Sequence, residues 1–600
     1  MKKRSEISKK EKWAIEDLYA DDPSFYKDLE RLKNLADDFL KNYKNIGNEE
    51  ELLASLDAYS DIIHLSGDLQ TFAEITKEVD ATDQNPVKRE ANLLNALSNI
   101  WAELSFYMLE ISKLDPEILE KAAKDRPEYK YFLKRIKDQA KYKLDQGQES
   151  LLAKLAPSLD AAYQNYNDTR YGDMSFENFD YQGQEINLNH NTFEEYLELD
   201  PRTEVRREAF KRYHDTLRKY ENTTASIYNN QITNEKRISD IRGYKSVFHY
   251  LLDRQDVDFD IYENHIDLIM KELAPHMRKY ANIIKRHYGL DKMTYADLKL
   301  GIDLDFEPEV SIEEARDQIV KGLSPLGKDY TDMIKKAFDE NWIDYAQNIG
   351  KRTGAFCSSP YGSHPFIMTT YNNKMSQVMT LSHELGHAGQ GILSNANQKA
   401  LNAEMSMYFV EAPSTANEIT MERFLLKNAK SKREKLWVLT TMISKTYYHN
   451  FVTHFLEAAF QREVYRRVDK KESLTAEELN QIFNDKLKEF WSDSVKLVPG
   501  SELTWMRQPH YYMGLYSFTY QAGLTIGTMI SDKLVNGTEA DRDKWLEVLK
   551  LGGSMGPIEL SKAAGLDMSS TKPLSDTIAF IGSIIDEIDK LLEELNMYKN

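Results

Sequence analysis

Between Ser382 and Ala388 the chain reads Ser-His-Glu-Leu-Gly-His-Ala, an HExxH arrangement of two histidines four residues apart with a glutamate directly after the first. On a helix such residues share a face, so His383 and His387 can close on one tetrahedral metal ion, zinc above all. Glu384 then reaches the attacking water instead of the metal. Val378, Leu381 and Leu385 have the spacing that predicts a helix beneath the motif. Gly386 inside that helix costs about 1 kcal/mol relative to alanine, which predicts a segment approaching that face closely.

A catalytic zinc site has three protein ligands and an open fourth position, so a further ligand is expected downstream. Glu404, Glu411 and Glu418 are spaced seven apart and would share one side of a continuous helix, so spacing alone does not select among them. A second group of chemistry-bearing residues is His510, Tyr511, Tyr512, Tyr516 and Tyr520. Tyr512, Tyr516 and Tyr520 have the spacing of a phenol stripe on one helical face, open to two readings. One is packing with satisfied hydroxyls. The other is donation to an oxyanion, where one placed donor contributes about 3 kcal/mol. Cys357 lacks a dedicated histidine base, which makes it a buried or strand-facing thiol and not a nucleophile.

The elements that must position these residues are mostly helices. From Pro23 the apolar residues Phe25, Leu29, Leu32, Ala36, Phe39 and Leu40 recur at helical spacing, with Asp22 as the expected cap. Similar patterns predict helices over 50–80, 88–123, 202–241, 262–287, 432–467 and 575–597. Strand signals are short. Met174 to Leu188 reads as a hairpin around Gln182-Gly183, and Gly354 to Cys357 with Pro365 to Thr370 as a second pair just before the HExxH helix. That second pair forms an edge on which an extended peptide can lie. His364 and Tyr371 flank it and are candidate substrate contacts. The Asn/Asp/Gly-rich stretch from about 164 to 191 divides an N-terminal helical region, 1–195, from a catalytic region, 196–600. The fold class expected is mostly α, with a small β element next to the active-site helix.

Composition agrees and excludes several classes. The 26 glycines and 16 prolines in 600 residues fall below the usual shares of about 7% and 5%, which favours long helices. Acidic residues outnumber basic ones 97 to 78, and no basic stripe occurs, so no nucleic-acid partner is expected. No apolar run reaches the roughly 18 residues of a membrane span. The basic start is followed by charged and polar residues where an export leader would be apolar, and the single cysteine suits a reducing compartment; a cytoplasmic location is expected.

The string HELGHAGQ, followed by Tyr408-Phe409-Val410-Glu411-Ala412-Pro413-Ser414, resembles the thimet-oligopeptidase-like zinc metallopeptidases, which carry a glutamate ligand in an FVExPS context downstream of HExGH. More specifically the chain is similar to the oligoendopeptidase F family. Trp13 and Leu18-Tyr19, Trp342-Ile343-Asp344 leading to Gly350-Lys351-Arg352-Thr353-Gly354-Ala355-Phe356, and Pro509-His510-Tyr511-Tyr512 leading to Tyr516 and Tyr520 carry that similarity from end to end. The resemblance implies Glu411 as third ligand to one zinc ion per chain. It implies a helical shell with a deep substrate channel, and cleavage of internal bonds in short unfolded peptides. It also implies that His510 and tyrosines of its segment touch the substrate, without choosing among Tyr512, Tyr516 and Tyr520. Glu418 would then orient a ligand histidine.

Two rivals remain at this level. A zinc carboxypeptidase or dipeptidase on a similar framework would need an anchor for a free substrate terminus. A helical binding or scaffold protein with structural zinc would need four protein ligands, usually including cysteine, and the chain has one cysteine.

Overall fold

A computed structural model describes residues 2–599 and shows a mostly helical protein with two small sheets. The chain forms two compact units, each assembled from three separated stretches. The first comprises Met1–Ala153, Glu307–Phe424 and Ile526–Leu566; the second comprises Lys154–Phe306, Leu425–Thr525 and Asp567–Asn600.

In the first unit, helices Asp22–Tyr43, Glu49–Glu78 and Gln84–Leu104 share one core. The first starts where Pro23 presets the backbone, and its buried face is Phe25, Leu29, Leu32, Ala36 and Phe39. Its cap is Asp21, one residue before the expected Asp22, with the Asp21 side chain accepting from the Ser24 amide. The expected helix over 88–123 is three helices, Gln84–Leu104, Phe106–Ser112 and Pro116–Asp125. Pro116 cannot continue a helix from behind and instead opens a new one, capped by Asp115.

The sheet of this unit has the order Ile343–Asp344, Phe366–Met368, Phe356–Ser358, with the first pair parallel and the second antiparallel. The central strand is fully buried, and Trp13 packs edge-on against Phe366 with ring centroids 6.0 Å apart. A buried ion pair fastens the sheet. Lys351 Nζ donates to Asp344 Oδ1 at 2.7 Å and to the carbonyls of Ala346 and Thr369 at 2.8 and 2.7 Å, and Arg4 joins Asp344 from the N-terminal segment. Removing Asp344 would strand the buried Lys351 charge at a cost of about 3–5 kcal/mol.

The second unit contains the two-stranded hairpin Phe179–Tyr181 and Gln184–Ile186. Its turn residues Gln182 and Gly183 both have positive φ, 55° and 82°, which a tight two-residue turn requires. The run over 202–241 is two helices, Thr203–Lys219 and Glu221–Arg242. The run over 432–467 is helical throughout, but a π-helical stretch, Met442–Thr453, joins Lys432–Thr441 to His454–Asp469. Among the described residues no helix is long and apolar enough to cross a membrane.

Candidate active site

The HExxH motif lies in the middle of helix Met375–Asn397 in the first unit, as its apolar spacing predicts. The helix start is tied down by the Ser376 amide, which donates to Glu307 Oε1 at 3.0 Å. Val378, Leu381 and Leu385 are fully buried, so rotation of the helix would cost the whole apolar face. This leaves His383 and His387 half-buried on the opposite side, ring centroids 5.2 Å apart.

The three candidate glutamates are not on one helix. Glu404 is exposed at a bend, Glu411 lies just before helix Ala412–Asn428, and Glu418 is in that helix's second turn. Glu411 Oε2 lies 3.3 Å from Nε2 of both His383 and His387, and the three ligating atoms are within 4.8 Å of one another. The Ser414 hydroxyl donates to the same oxygen at 2.8 Å, and the Thr415 amide to the Glu411 carbonyl. Glu418 Oε2 meets His383 Nδ1 at 2.9 Å. That contact takes up Nδ1 and leaves Nε2 for the shared point, the usual carboxylate–histidine support of a metal ligand.

Gly386 explains how the two segments come so close. A Cβ there would stand 2.6 Å from both the Pro413 carbonyl oxygen and Ser414 Cα, which are backbone atoms without a flexible end to yield. Gly386→Ala should therefore lower metal affinity by at least about tenfold, although alanine is intrinsically the better helix former by about 1 kcal/mol. Isothermal titration of apoprotein with zinc would check this, and unchanged affinity would refute the close-approach explanation.

Two imidazoles and one carboxylate are the donor set of catalytic zinc, and the electrostatics fit a cation at their centre. Burial works against a charged His383, but hydrogen bonds to Glu411 and Glu418 outweigh it and hold the imidazole well above its ordinary range. Burial also works against an ionised Glu411, and the His387 and His383 imidazoles overcome it, keeping the carboxyl well below its usual range. The cluster attracts positive charge, which a divalent ion supplies in place of protons.

Glu384, only 6% exposed, is pushed up from its ordinary value by burial, with the two imidazoles opposing. The sheet edge Phe356–Ser358 runs beside this helix. Its Cys357 thiol is pushed up by burial and by the Glu384 charge, which disfavours the thiolate that a nucleophile would need.

The second chemistry-bearing group belongs to the second unit. Tyr512, Tyr516 and Tyr520 do not form a stripe on one helix: 3₁₀ turns Pro509–Tyr512 and Tyr516–Thr519 precede helix Tyr520–Asn536, and Gly514 with φ 65° breaks the path. His510 gathers Tyr516 and Tyr520, with ring centroids at 5.4 and 5.5 Å, and its Nε2 lies 3.4 Å from the Tyr520 hydroxyl. Tyr512 is buried and packs on Tyr166 and Tyr228 at 4.7 and 5.9 Å. Its neighbour Tyr511 is buried against Phe460 and Tyr228.

His364 and Tyr371 have structural partners. The His364 ring stacks on Trp342 at 5.1 Å, with Nδ1 on the Pro365 carbonyl and Nε2 near Asp17. The Tyr371 hydroxyl donates to the Val310 carbonyl at 2.9 Å. Sequence reasoning overlooked Glu457, which hydrogen-bonds His510, and His454, which hydrogen-bonds Glu457 in turn. Their signal was a histidine and a glutamate three apart on a helix, too common a pattern to single out. Ser414 stood inside the FVExPS match without a role.

Residues 196–580 match the model of peptidase family M3, and residues 110–176 match the oligopeptidase F model. The oligopeptidase PepF of Bacillus subtilis is 27% identical over 596 residues, covering 98% of this chain and 88% of that protein. An oligoendopeptidase F homolog of Lactococcus lactis subsp. lactis is 24% identical over 603 residues, 99% of each chain. A solved chain from Chlamydophila abortus superposes with a TM-score of 0.87 at 25% identity, over 98% of this chain and 100% of that one. The oligoendopeptidase-F structure from Enterococcus faecium has a TM-score of 0.73 at 20% identity, over 96% and 99%.

Proposed function

The chain belongs to peptidase family M3 and is a metalloendopeptidase, and on that premise we propose a zinc-dependent oligoendopeptidase that cuts internal bonds of short unfolded peptides. The observation that carries the proposal is the convergence of His383 Nε2, His387 Nε2 and Glu411 Oε2, with Glu384 one residue from the first ligand.

Those three residues would hold one zinc ion. When bound, zinc lowers the pKa of a coordinated water towards about 7 and polarises the scissile carbonyl. Glu418 fixes the tautomer of His383, and Ser414 holds the Glu411 carboxylate in place. Glu384 accepts the proton of the attacking water and returns it to the leaving amine, so no acyl-enzyme forms. His510 stabilises the carbonyl oxygen as it gains charge, the role that the resemblance assigns to it. Among the tyrosines the hydrogen bond to His510 supports Tyr520, with Tyr516 beside it, and burial against Tyr166 supports a packing role for Tyr512. The edge strand Phe356–Ser358 would pair with an extended substrate backbone. The catalytic region would be 196–600, and the lone cysteine supports a cytoplasmic location.

A peptide blocked at both ends tests the proposal. Mass spectrometry should show internal cleavage by zinc-loaded protein, none after chelation, and recovery on zinc addition. Cleavage restricted to peptides with a free terminus would replace the endopeptidase reading with a carboxypeptidase or dipeptidase.

A further inference from the structure

Helix His454–Asp469 begins directly after the π-helical stretch, and its first turn places His454 and Glu457 on one face. The Glu457 carboxylate is 2% exposed, yet three donors converge on its Oε2: His454 Nδ1 at 3.0 Å, His510 Nδ1 at 3.3 Å and the Ser517 hydroxyl at 2.8 Å. A carboxylate so enclosed survives as an anion only when paired and hydrogen-bonded. Burial works against it, and the His454 and His510 imidazoles overcome that, holding it well below the usual carboxylate range.

An ionised carboxylate only accepts, so Nδ1 of His510 must carry a proton. The remaining nitrogen, Nε2, is the one beside the Tyr520 hydroxyl at 3.4 Å. Exposure follows the same direction: side chains of His454 and Glu457 are 0% and 2% exposed, whereas that of His510 is 15% exposed. His454 closes the buried end, its Nε2 3.1 Å from His449 Nε2.

We propose that Glu457 is the positioning residue for His510, fixing the ring through Nδ1 so that Nε2 is the atom turned to the substrate. The carboxylate sets the ring plane and, by accepting from Nδ1, leaves Nε2 as the nitrogen that meets the substrate. Glu457 itself touches no reacting atom. This rests on the reading above that His510 acts on the substrate.

A kinetic double-mutant cycle separates the two. Glu457→Gln removes the charge at nearly constant volume and should lower kcat by about 10²-fold, the scale expected for misplacing a reacting group, while KM changes by less than about twofold. His510→Ala should lower kcat at least as far, and adding Glu457→Gln to it should cause no further loss. If His510→Ala leaves kcat unchanged, the assignment of His510 fails. If His510→Ala is impaired and Glu457→Gln is not, or if the two losses multiply, the positioning role fails while His510 stands. Should Glu457→Gln not fold, Glu457→Asp keeps the charge, withdraws the oxygen from Nδ1 and completes the same cycle. Metal analysis adds a check, because His454, Glu457 and His510 also present ligating atoms within 4.8 Å. One zinc per chain, unchanged in Glu457→Gln, is expected; a second ion lost in that variant would make the cluster a metal site and overturn the proposal.

Discussion

Glu384→Gln should lower kcat by roughly 10²- to 10⁴-fold, the usual contribution of a general base, while zinc content stays at one ion per chain. The argument is one of position and chemistry. Glu384 adjoins His383 in the chain but contributes no atom to the His383–His387–Glu411 cluster, so neutralising it leaves the ligands intact. Glutamine has nearly the same shape and can hold a water by a hydrogen bond, but it cannot take its proton. Because Glu384 is only 6% exposed, solvent cannot readily substitute for it as base. Steady-state kinetics on a blocked peptide, paired with metal analysis of the same preparation, gives the result. A variant with near-normal turnover would remove Glu384 from the mechanism; a variant that has lost zinc would show instead that Glu384 supports the metal.

Glu411→Ala should reduce zinc affinity by more than the roughly 10- to 100-fold typical of losing an outer partner, and activity should disappear with the metal. One oxygen of this residue meets both imidazole Nε2 atoms and the Ser414 hydroxyl, so its loss leaves two ligands and disperses their arrangement. Glu418 is the internal comparison. It meets the far nitrogen of His383 and is not part of the His383–His387–Glu411 cluster, so Glu418→Gln should stay within that 10- to 100-fold range and keep measurable activity at saturating zinc. Competition against a chromogenic chelator ranks the two. A greater loss in Glu418→Gln would exchange their roles, and full occupancy in Glu411→Ala would return the choice to Glu404 or Glu418.

These comparisons show how the site divides between chain and fold. HExxH is legible because helical periodicity alone brings His383 and His387 together, and the buried Val378, Leu381 and Leu385 announce the face that must turn inward. Gly386 is legible as a demand for close approach, but its cause is not, because the Pro413–Ser414 backbone that needs the space arrives from another segment. The long amphipathic runs likewise declare helices while concealing breaks such as Pro116 and the π-helical stretch before His454, where local geometry departs from the 3.6-residue period.

By itself the amino-acid sequence determined the helical class, the two histidines, the neighbouring glutamate and, through its resemblance to known metallopeptidases, the expected third ligand. All of these depend on spacing within a single element or on a motif read along the chain. Spacing left Glu404, Glu411 and Glu418 equivalent, and it is tertiary structure that sets them apart in space, since their equal spacing carries no information once the chain leaves the helix between them. Only tertiary structure parted Tyr512 from Tyr516 and Tyr520, because the turn at Gly514 cancels the helical register that would have aligned them. The meeting of Glu457 with His510 was likewise decided in three dimensions. A buried carboxylate must find its donors wherever folding brings them, and here two of the three, His510 and Ser517, come from a segment that the local pattern does not connect to Glu457.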